Sequence, residues 1–248
     1  MIVGAAFCPV PPVMVPSLGG AAAEDLAELR DACLAAIGRV TDSQPEMVLI
    51  LGASDSNSSH SPVDFGDLAG LGRTERVHLG SPACGGSQNL SQSLTIAAWL
   101  VHEAMGVRTP TRGFGVAENF ETSSAGQQLL ELVMGARVAL VVAGDGSARR
   151  EKASPGYLDE RAVPFDAAVT QALREGDWQA LASIDAALGS DLMAAGTLPW
   201  RVTGELFAGM AMDAELHYAD APFGVGYVVA SWLTGEVNVA TMKRGASV

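Results

Sequence analysis

The chain has 248 residues, with 15 basic and 28 acidic side chains, and its formal net charge at pH 7 is −13. Hydrophobic residues make up 48% of the chain and charged residues 17%, which excludes a disordered protein because such chains combine low hydrophobicity with high charge. The acidic balance argues against nucleic-acid binding, which needs a basic face. The composition predicts a globular chain with a large buried core.

The amino-terminal segment and the cysteines indicate the compartment. Residues 1–16 are apolar, but they contain no basic residue and four prolines, which is not the pattern of a secretory signal peptide. No apolar run approaches the roughly 18 residues that cross a bilayer. Cys8, Cys33 and Cys84 show no spacing typical of a disulfide framework or a zinc site, and are interpreted as reduced thiols. We therefore expect a cytoplasmic protein with no membrane partner.

Apolar runs and amphipathic stretches alternate along the chain. Short continuous apolar runs predict buried strands over residues 2–8, 47–51 and 137–143. Helical periodicity is predicted over residues 21–40, 89–105 and 123 or 124 to 134, over two helices within 164–196, and over one helix within 200–212. Polar and Gly-, Pro- and Ser-rich sequences predict loops over residues 52–60 and 61–88. Two late strands are predicted over residues 215–218 and 224–231.

This order of elements predicts the fold class. Strands that alternate with helices favour an α/β protein with three layers, α/β/α, around a central sheet that is mostly parallel or mixed. Continuous apolar strands fit such a sheet because helices cover both of its faces. No composition shift and no internal repeat divides the chain, which predicts one domain over residues 1–248.

Polar loops follow the predicted strands, at the ends where α/β sheets bind ligands. They cover residues 9–16, 52–60 and 144–152. We expect the second and third loops to supply one pocket, and its candidate residues are Ser54, Asp55, Asn57, His60, Asp145, Ser147 and Arg149. The alternative is that these are turn residues whose side chains bond their own backbone.

Three segments carry a resemblance to a known family. Residues 144–149 read Gly-Asp-Gly-Ser-Ala-Arg, followed by Ser-Pro-Gly-Tyr at 154–157, Phe165-Asp166 and Gly176-Asp177. Residues 9–12 read Pro-Val-Pro-Pro, and residues 218–227 read Tyr-Ala-Asp-Ala-Pro-Phe-Gly-Val-Gly-Tyr. In this order the segments resemble the catalytic-subunit superfamily of class III extradiol ring-cleavage dioxygenases (LigB-like), whose fold the Memo proteins share. The resemblance covers most of the chain and implies that fold.

The resemblance also implies a non-haem Fe(II) site made by two histidines and a carboxylate. Its first ligand histidine falls on Val10, its second near Ser54 or Asp55, and its acid/base histidine on Ala148. None of these residues is a histidine. The remaining candidate ligands are weak ones: His60 lies in a strand-end loop, and Glu205 lies in the region where the carboxylate is expected.

The leading hypothesis is a dioxygenase-like protein that has lost the Fe(II) site and has no resident cofactor. It would be a small-molecule-binding or interaction module, or a divergent enzyme of unknown reaction. The expected ligand is a small aromatic or anionic molecule, and the Arg149 guanidinium suits a carboxylate or phosphate. The alternative is an active extradiol dioxygenase on a catechol-type aromatic, with Fe(II) on unusual ligands such as His60 and Glu205. Without two imidazoles, a site of carboxylate and water ligands would prefer a hard divalent cation such as Mg²⁺, if it bound any. A third hypothesis is a scaffold whose cavity is filled by side chains. Family members commonly associate, and we expect a homo-oligomer.

Overall fold

The computed structural model describes residues 1–80, 86–87, 90–106, 109–120 and 124–235. Cys84, Asn89 and Ser123, to which some predictions above refer, lie outside these ranges. The described strands are β1 (Ile2–Cys8), β2 (Met47–Ala53), β3 (Ser58–His60), β4 (Phe65–Asp67), β5 (Arg76–His78), β6 (Thr111–Val116), β7 (Val138–Ala143), β8 (Met212–Asp220) and β9 (Tyr227–Thr234). The described helices are α1 (Pro16–Gly19), α2 (Ala21–Asp25), α3 (Ala27–Thr41), α4 (Gln92–Met105), α5 (Ala125–Val133), α6 (Ala162–Glu175), α7 (Trp178–Ala182), α8 (Ala186–Asp191) and α9 (Thr197–Leu206).

Seven strands form one mixed sheet in the order β3-β6-β2-β7-β1-β9-β8. Strands β6, β2, β7 and β1 are parallel neighbours, whereas β3, β9 and β8 pair antiparallel with their neighbours. Strands β4 and β5 form a separate antiparallel pair. The predicted α/β class with a mixed central sheet is confirmed.

Helices cover both faces of the sheet because alternate residues of its strands point to opposite sides. In β7, Ala139 and Val141 belong to the core under α3 and α4, whereas Leu140 and Val142 belong to the core under α5, α6 and α9. Every residue of β7 is therefore buried, which explains its uninterrupted apolar sequence. The predicted three-layer α/β/α arrangement is confirmed.

Several predicted helices differ from the observed ones at their ends. The predicted helix over residues 21–40 is interrupted at Leu26, which is buried between α2 and α3. Helix α4 begins after Ser91, whose Oγ accepts the N–H of Leu94, and it ends at Gly106, which has φ +65° as a helix-ending glycine should. Ser124 precedes α5, but its side chain makes no capping hydrogen bond.

Four strands, the short helix α1 and one further helix were missed. Strand β3 lies within the predicted loop 52–60, β4 and β5 lie within the predicted loop 61–88, and β6 has no predicted counterpart. Residues 164–196 contain three helices rather than two, because Asp185 starts α8 by accepting the N–H groups of Ala187 and Leu188. Residues 224–226 precede β9 and are not part of that strand. No helix in the described ranges has both the length and the apolar character needed to span a membrane.

Candidate functional site

Four parallel strands, β1, β2, β6 and β7, end at one edge of the sheet, which we call the carboxyl edge. The chain leaves β1 and β2 toward α3 and α4 on one face, and leaves β6 and β7 toward α5 and α6 on the other. Where the connections of neighbouring strands diverge, a crevice opens that commonly binds ligands. We call the crevice between β1 and β7 the Asp145 crevice, and the crevice between β2 and β6 the Ser54 crevice.

A direct hydrogen bond joins two of the predicted loops in the Asp145 crevice. The Oδ1 atom of Asp145 accepts the backbone N–H of Val10 at 2.7 Å, and the N–H of Gly144 donates to the carbonyl of Cys8 at 3.1 Å. Burial raises the pKa of Asp145 to about 6, although the Val10 N–H acts to lower it. The sequence therefore places a carboxyl group that titrates near neutrality at the junction of loops 9–16 and 144–152.

Buried thiol and phenol groups surround this carboxyl group. Cys8 and Cys33 are both buried and free, and they lie close enough for the Cys8 thiol to contribute to the raised pKa of Cys33. Burial raises the pKa of the Cys33 thiol well above its usual value, and it also raises the pKa of Tyr227; the charge of Asp145 acts in the same direction on both. Cys33 and Tyr227 therefore stay uncharged at neutral pH, while Asp145 changes charge.

Ser147 and Asp166 hold the third loop in place. Ser147 is fully buried; its N–H donates to Asp166 Oδ1 at 2.8 Å and its Oγ donates to the carbonyl of Leu192 at 3.1 Å. The second oxygen of Asp166 accepts from the Arg150 guanidinium at 2.9 Å. Burial raises the pKa of Asp166, against the lowering effects of the Ser147 N–H and Arg150. Ser147, predicted as a pocket residue, therefore has its hydrogen bonds inside the fold.

The segments that carry the family resemblance are neighbours in space. The N–H of Gly146 donates to the carbonyl of Gly226 at 2.7 Å, and the Gly226 N–H donates to the Ser147 carbonyl at 2.8 Å. Ser154 Oγ donates to the carbonyl of Gly224 at 2.8 Å. A Cβ atom at Gly226 would lie 2.2 Å from Asp166 Oδ2, which requires glycine at that position.

Alkyl side chains stand where the resemblance implies imidazoles. Val10 is 5% exposed and belongs to the core under α3 and α4, and Ala148 packs against the same core. Arg149 lies beside them in sequence, and its buried Nε has no hydrogen-bond partner among the described residues. The pKa of Asp159 is lowered to about 2, mainly by its hydrogen bonds with Arg161 and to a smaller extent by the positive charge of Arg149. Arg149 is thus placed toward residues 159–161.

The Ser54 crevice holds a cavity of about 640 Å³. The ends of β2 and β6 form its floor, and residues 186–198 cover it. Its lining residues are Ala53, Ser54, Val116, Glu118, Ala186, Ala187, Gly189, Ser190, Met193, Ala194, Ala195, Thr197 and Leu198. The Ser54 N–H donates to the Val116 carbonyl at 3.0 Å, and its hydroxyl has no partner in the part of the chain that the structure describes.

The structure does not bring the predicted residues of loops 52–60 and 144–152 into one pocket. Asp55 is exposed and lines a separate polar cavity of about 310 Å³ with Asn57. His60 is buried on the edge strand β3, where its Nε2 lies 2.9 Å from Ser58 Oγ. The reason is that residues 58–60 pair with β6, which turns the second loop away from β7.

The described residues do not fit the iron site that the resemblance implies. Val10 and Ala148 carry no donor atom, and Glu205 is exposed on α9. In the described ranges no three His, Cys, Asp or Glu side chains form a group able to hold a metal ion, so His60 and Glu205 do not converge with a third ligand. The donor set of the Asp145 crevice is one carboxylate and two thiols, which does not suit Mg²⁺ either.

Comparisons with known proteins bear on the fold. No family model matches the chain, and no curated protein matches it. Among solved structures, the chain is similar to the uncharacterized protein JW3007 from Escherichia coli K12, with a TM-score of 0.55 and 11% sequence identity over 93% of this chain and 99% of that chain. At this identity the likeness shows a shared α/β/α fold over nearly the whole length, and the fold alone.

Sequence reasoning missed three residues that shape the carboxyl edge. Asp166 was quoted only as part of a Phe-Asp pattern, although an acidic residue within an apolar helix face signals a buried partner. Tyr227 lies at the start of β9, and its distance in sequence from Asp145 concealed their proximity. Cys33 was interpreted only as a reduced thiol, because the packing of α3 against β1 cannot be obtained from periodicity.

Proposed function

We propose that the protein is a class III extradiol dioxygenase-like protein that binds a small molecule in the Ser54 crevice and does not use ferrous iron. One observation carries this proposal. Of the positions where the resemblance implies imidazoles, Val10 is in the core and Ala148 packs against it, while Ser54 lines a cavity. A scaffold whose cavity is filled by side chains is therefore less favoured than a binding protein.

The form of the cavity supports binding of a small molecule. Small-molecule sites commonly have volumes of about 300–1,000 Å³ and apolar walls with a few polar groups. The Ser54 crevice has a volume of about 640 Å³, alanine-rich walls, and the hydroxyl groups of Ser54 and Ser190. Its place at the carboxyl edge is the usual one for ligands in α/β proteins.

Asp145 also supports a function at this edge. Asp145 is half-buried, and a carboxyl group with a raised pKa lowers the stability of the folded chain at neutral pH. Such groups are common at functional sites. In the proposal, Asp145 is a positioning residue, since its hydrogen bond to Val10 fixes the loop that follows β1. The proposal includes a cytoplasmic, self-associating protein; sedimentation as a monomer would contradict the self-association.

Metal analysis tests the loss of iron chemistry. The protein is purified under reducing, iron-replete conditions, its iron content is measured, and oxygen uptake is followed with catechol and 4-methylcatechol. We expect iron far below one equivalent and oxygen uptake equal to the blank. Near-stoichiometric iron with catechol-dependent oxygen uptake would overturn the proposal. In that event, His60→Ala and Glu205→Ala variants would show whether the unusual ligands hold the metal.

A further inference from the structure

We infer that the Ser54 crevice selects a neutral or cationic small molecule with an apolar body and discriminates against anions. This inference rests on the proposed function and narrows the ligand class expected from the sequence, which was aromatic or anionic. The anionic part of that expectation depended on Arg149. Arg149 does not line the crevice, and its side chain lies against Gly156, where a Cβ would meet its Cγ at 2.7 Å.

The charges around the cavity oppose an anion. Among its lining residues, Glu118 is the one that carries an acidic or basic side chain, and it is exposed at the rim. No lysine or arginine is among these lining residues. The net charge of −13 adds a repulsive field for anions that approach from solvent. An ammonium group, in contrast, meets a carboxylate at the entrance.

The amino end of α9 reaches the cavity, but it is not equipped to hold an anion. A helix amino end binds anions through backbone N–H groups that have no partner within the helix. The Thr197 N–H donates to the Ala194 carbonyl at 3.1 Å, and Pro199 has no N–H. The Thr197 hydroxyl donates to the same Ala194 carbonyl at 2.8 Å. Of the first three helix residues, Leu198 alone can present an N–H group.

The inner surface suits a small apolar body with one hydrogen-bonding group. Ala53 and Val116 lie at the strand ends, and alanines from residues 186–195 form much of the cover. The Ser54 hydroxyl, which has no partner among the described residues, can donate to or accept from a ligand hydroxyl or amine. Together these features define a ligand with an apolar ring or chain and a hydroxyl or amino group.

Three probes that share one ring test the inference. Benzyl alcohol is neutral, benzylamine is cationic and benzoate is anionic at pH 7.5. Each is titrated into the ¹⁵N-labelled full-length protein, and amide shift changes are followed for Ser54 and for residues 186–198. We expect benzylamine and benzyl alcohol to shift these resonances. We expect benzoate to bind at least tenfold more weakly than benzylamine.

Two variants and one control assign the effect to the crevice. Ala187→Trp places a large side chain in the cavity and is expected to abolish the shifts caused by all three probes. Glu118→Gln is expected to reduce benzylamine affinity to that of benzyl alcohol. Glu131→Gln removes an exposed carboxylate on α5 outside the cavity lining and is expected to leave the order of the probes as in the unmodified protein.

The outcomes separate the inference from the proposed function. If none of the probes shifts resonances of the crevice, the proposed binding site is overturned together with the inference. If benzoate binds as tightly as benzylamine, the selection against anions is overturned while the binding site stands. If Glu118→Gln leaves the ratio of benzylamine to benzyl alcohol affinity unchanged, the assignment of cation preference to Glu118 is overturned.

Discussion

The Asp145 crevice and the Ser54 crevice have the same topological origin, but the first is closed by packed side chains and the second holds a cavity. In the Asp145 crevice, Val10 lies in the core, Ala148 packs against it, and a hydrogen bond from Val10 joins the two loops. In the Ser54 crevice, the strand ends are left apart from residues 186–198, and a cavity of about 640 Å³ remains. Diverging connections therefore create the opportunity for a site, while side-chain size and local hydrogen bonds decide which opening persists.

Residues 186–198 both close the Asp145 crevice and cover the cavity of the Ser54 crevice. The N–H of Gly196 donates to the carbonyl of Asp145 at 2.8 Å, and the N–H of Ala148 donates to the carbonyl of Leu192 at 3.1 Å. This segment therefore rests on the end of β7 and closes that side, while Ala194 and Ala195 face the Ser54 crevice. Loosening the closed side is expected to affect the open side as well.

The largest expected effect is that of Asp166→Ala, which removes the partner of Ser147 and Arg150. Breaking a buried charged pair leaves unsatisfied groups, and we expect a loss of about 3 kcal/mol in the free energy of unfolding, measured with urea. The control is Asp213→Ala, in which the lost carboxylate is 72% exposed beside Arg39; we expect a loss below about 1 kcal/mol. Equal losses would mean that the third loop is not held by Asp166.

Gly144→Ala tests the contact between the end of β7 and the covering segment. A Cβ at Gly144 would lie 2.2 Å from the Cα of Gly196, and forcing the two backbones apart is expected to cost about 2 kcal/mol. Gly126→Ala on α5 is the matched control, because a Cβ there meets no atom within 4 Å. We expect Gly126→Ala to lie within about 1 kcal/mol of the unmodified protein, on the stabilising side. If Gly144→Ala leaves the free energy of unfolding unchanged, the covering segment does not pack closely against the end of β7.

Asp145→Asn tests the closed crevice through pH. Folded Asp145 keeps its proton up to a pH of about 6, whereas an unfolded aspartate loses it near 3.9. Between these values the folded state binds more protons, and the free energy of unfolding therefore falls as pH rises through this window. Asparagine cannot ionise, and its oxygen can still accept the Val10 N–H. We expect Asp145→Asn to be stabilising by about 1–3 kcal/mol at pH 7.5 and neutral below pH 4.

Urea unfolding at pH 4, 5, 6 and 7.5 measures this difference between Asp145→Asn and the unmodified protein. A gain that is constant over this range would show that the benefit does not come from the titration of Asp145. Asp220→Asn, which removes an exposed carboxylate, is the control and is expected to show no such pH window.

The smallest expected effects on stability are those of removing the hydroxyl groups of Ser147 and Ser54, two serines at the carboxyl edge. Ser147→Ala removes hydroxyl hydrogen bonds to the carbonyl of Leu192 and from the N–H of Arg149, and is expected to cost about 1–2 kcal/mol. Ser54→Ala removes a hydroxyl without a partner among the described residues and is expected to change stability by less than about 0.5 kcal/mol. A costly Ser54→Ala would show that this hydroxyl supports the fold rather than facing a ligand.

The strands that are buried on both faces of the sheet could be predicted from the sequence. Strands β1, β2 and β7 were recognisable because helices cover both faces and every strand position is apolar. Strand β6 was missed because its sequence contains Gly113, Gly115 and Arg112. The glycines have a packing reason, since a Cβ at Gly115 would lie 2.7 Å from Ser54 Cβ. Such contacts come from distant parts of the chain and leave no local pattern.

The candidate site was predictable in its location and less so in its details. The rule that ligand loops follow parallel strands placed Val10 and Asp145 at one edge, where they form a hydrogen bond. The inward orientation of Ser147 depends on Leu192 and Asp166, which are remote in sequence. The family resemblance and the single domain over residues 1–248 stay predictions.

The order of strands in the sheet has a consequence for synthesis. The neighbours of β1 are β7 and β9, which follow it by more than a hundred residues. At about 5–20 residues per second, the first strand to leave the ribosome waits roughly 10–45 s for its last partner. During this time the apolar side chains and unpaired backbone edges of β1 are exposed to aggregation, until Tyr227–Thr234 emerges.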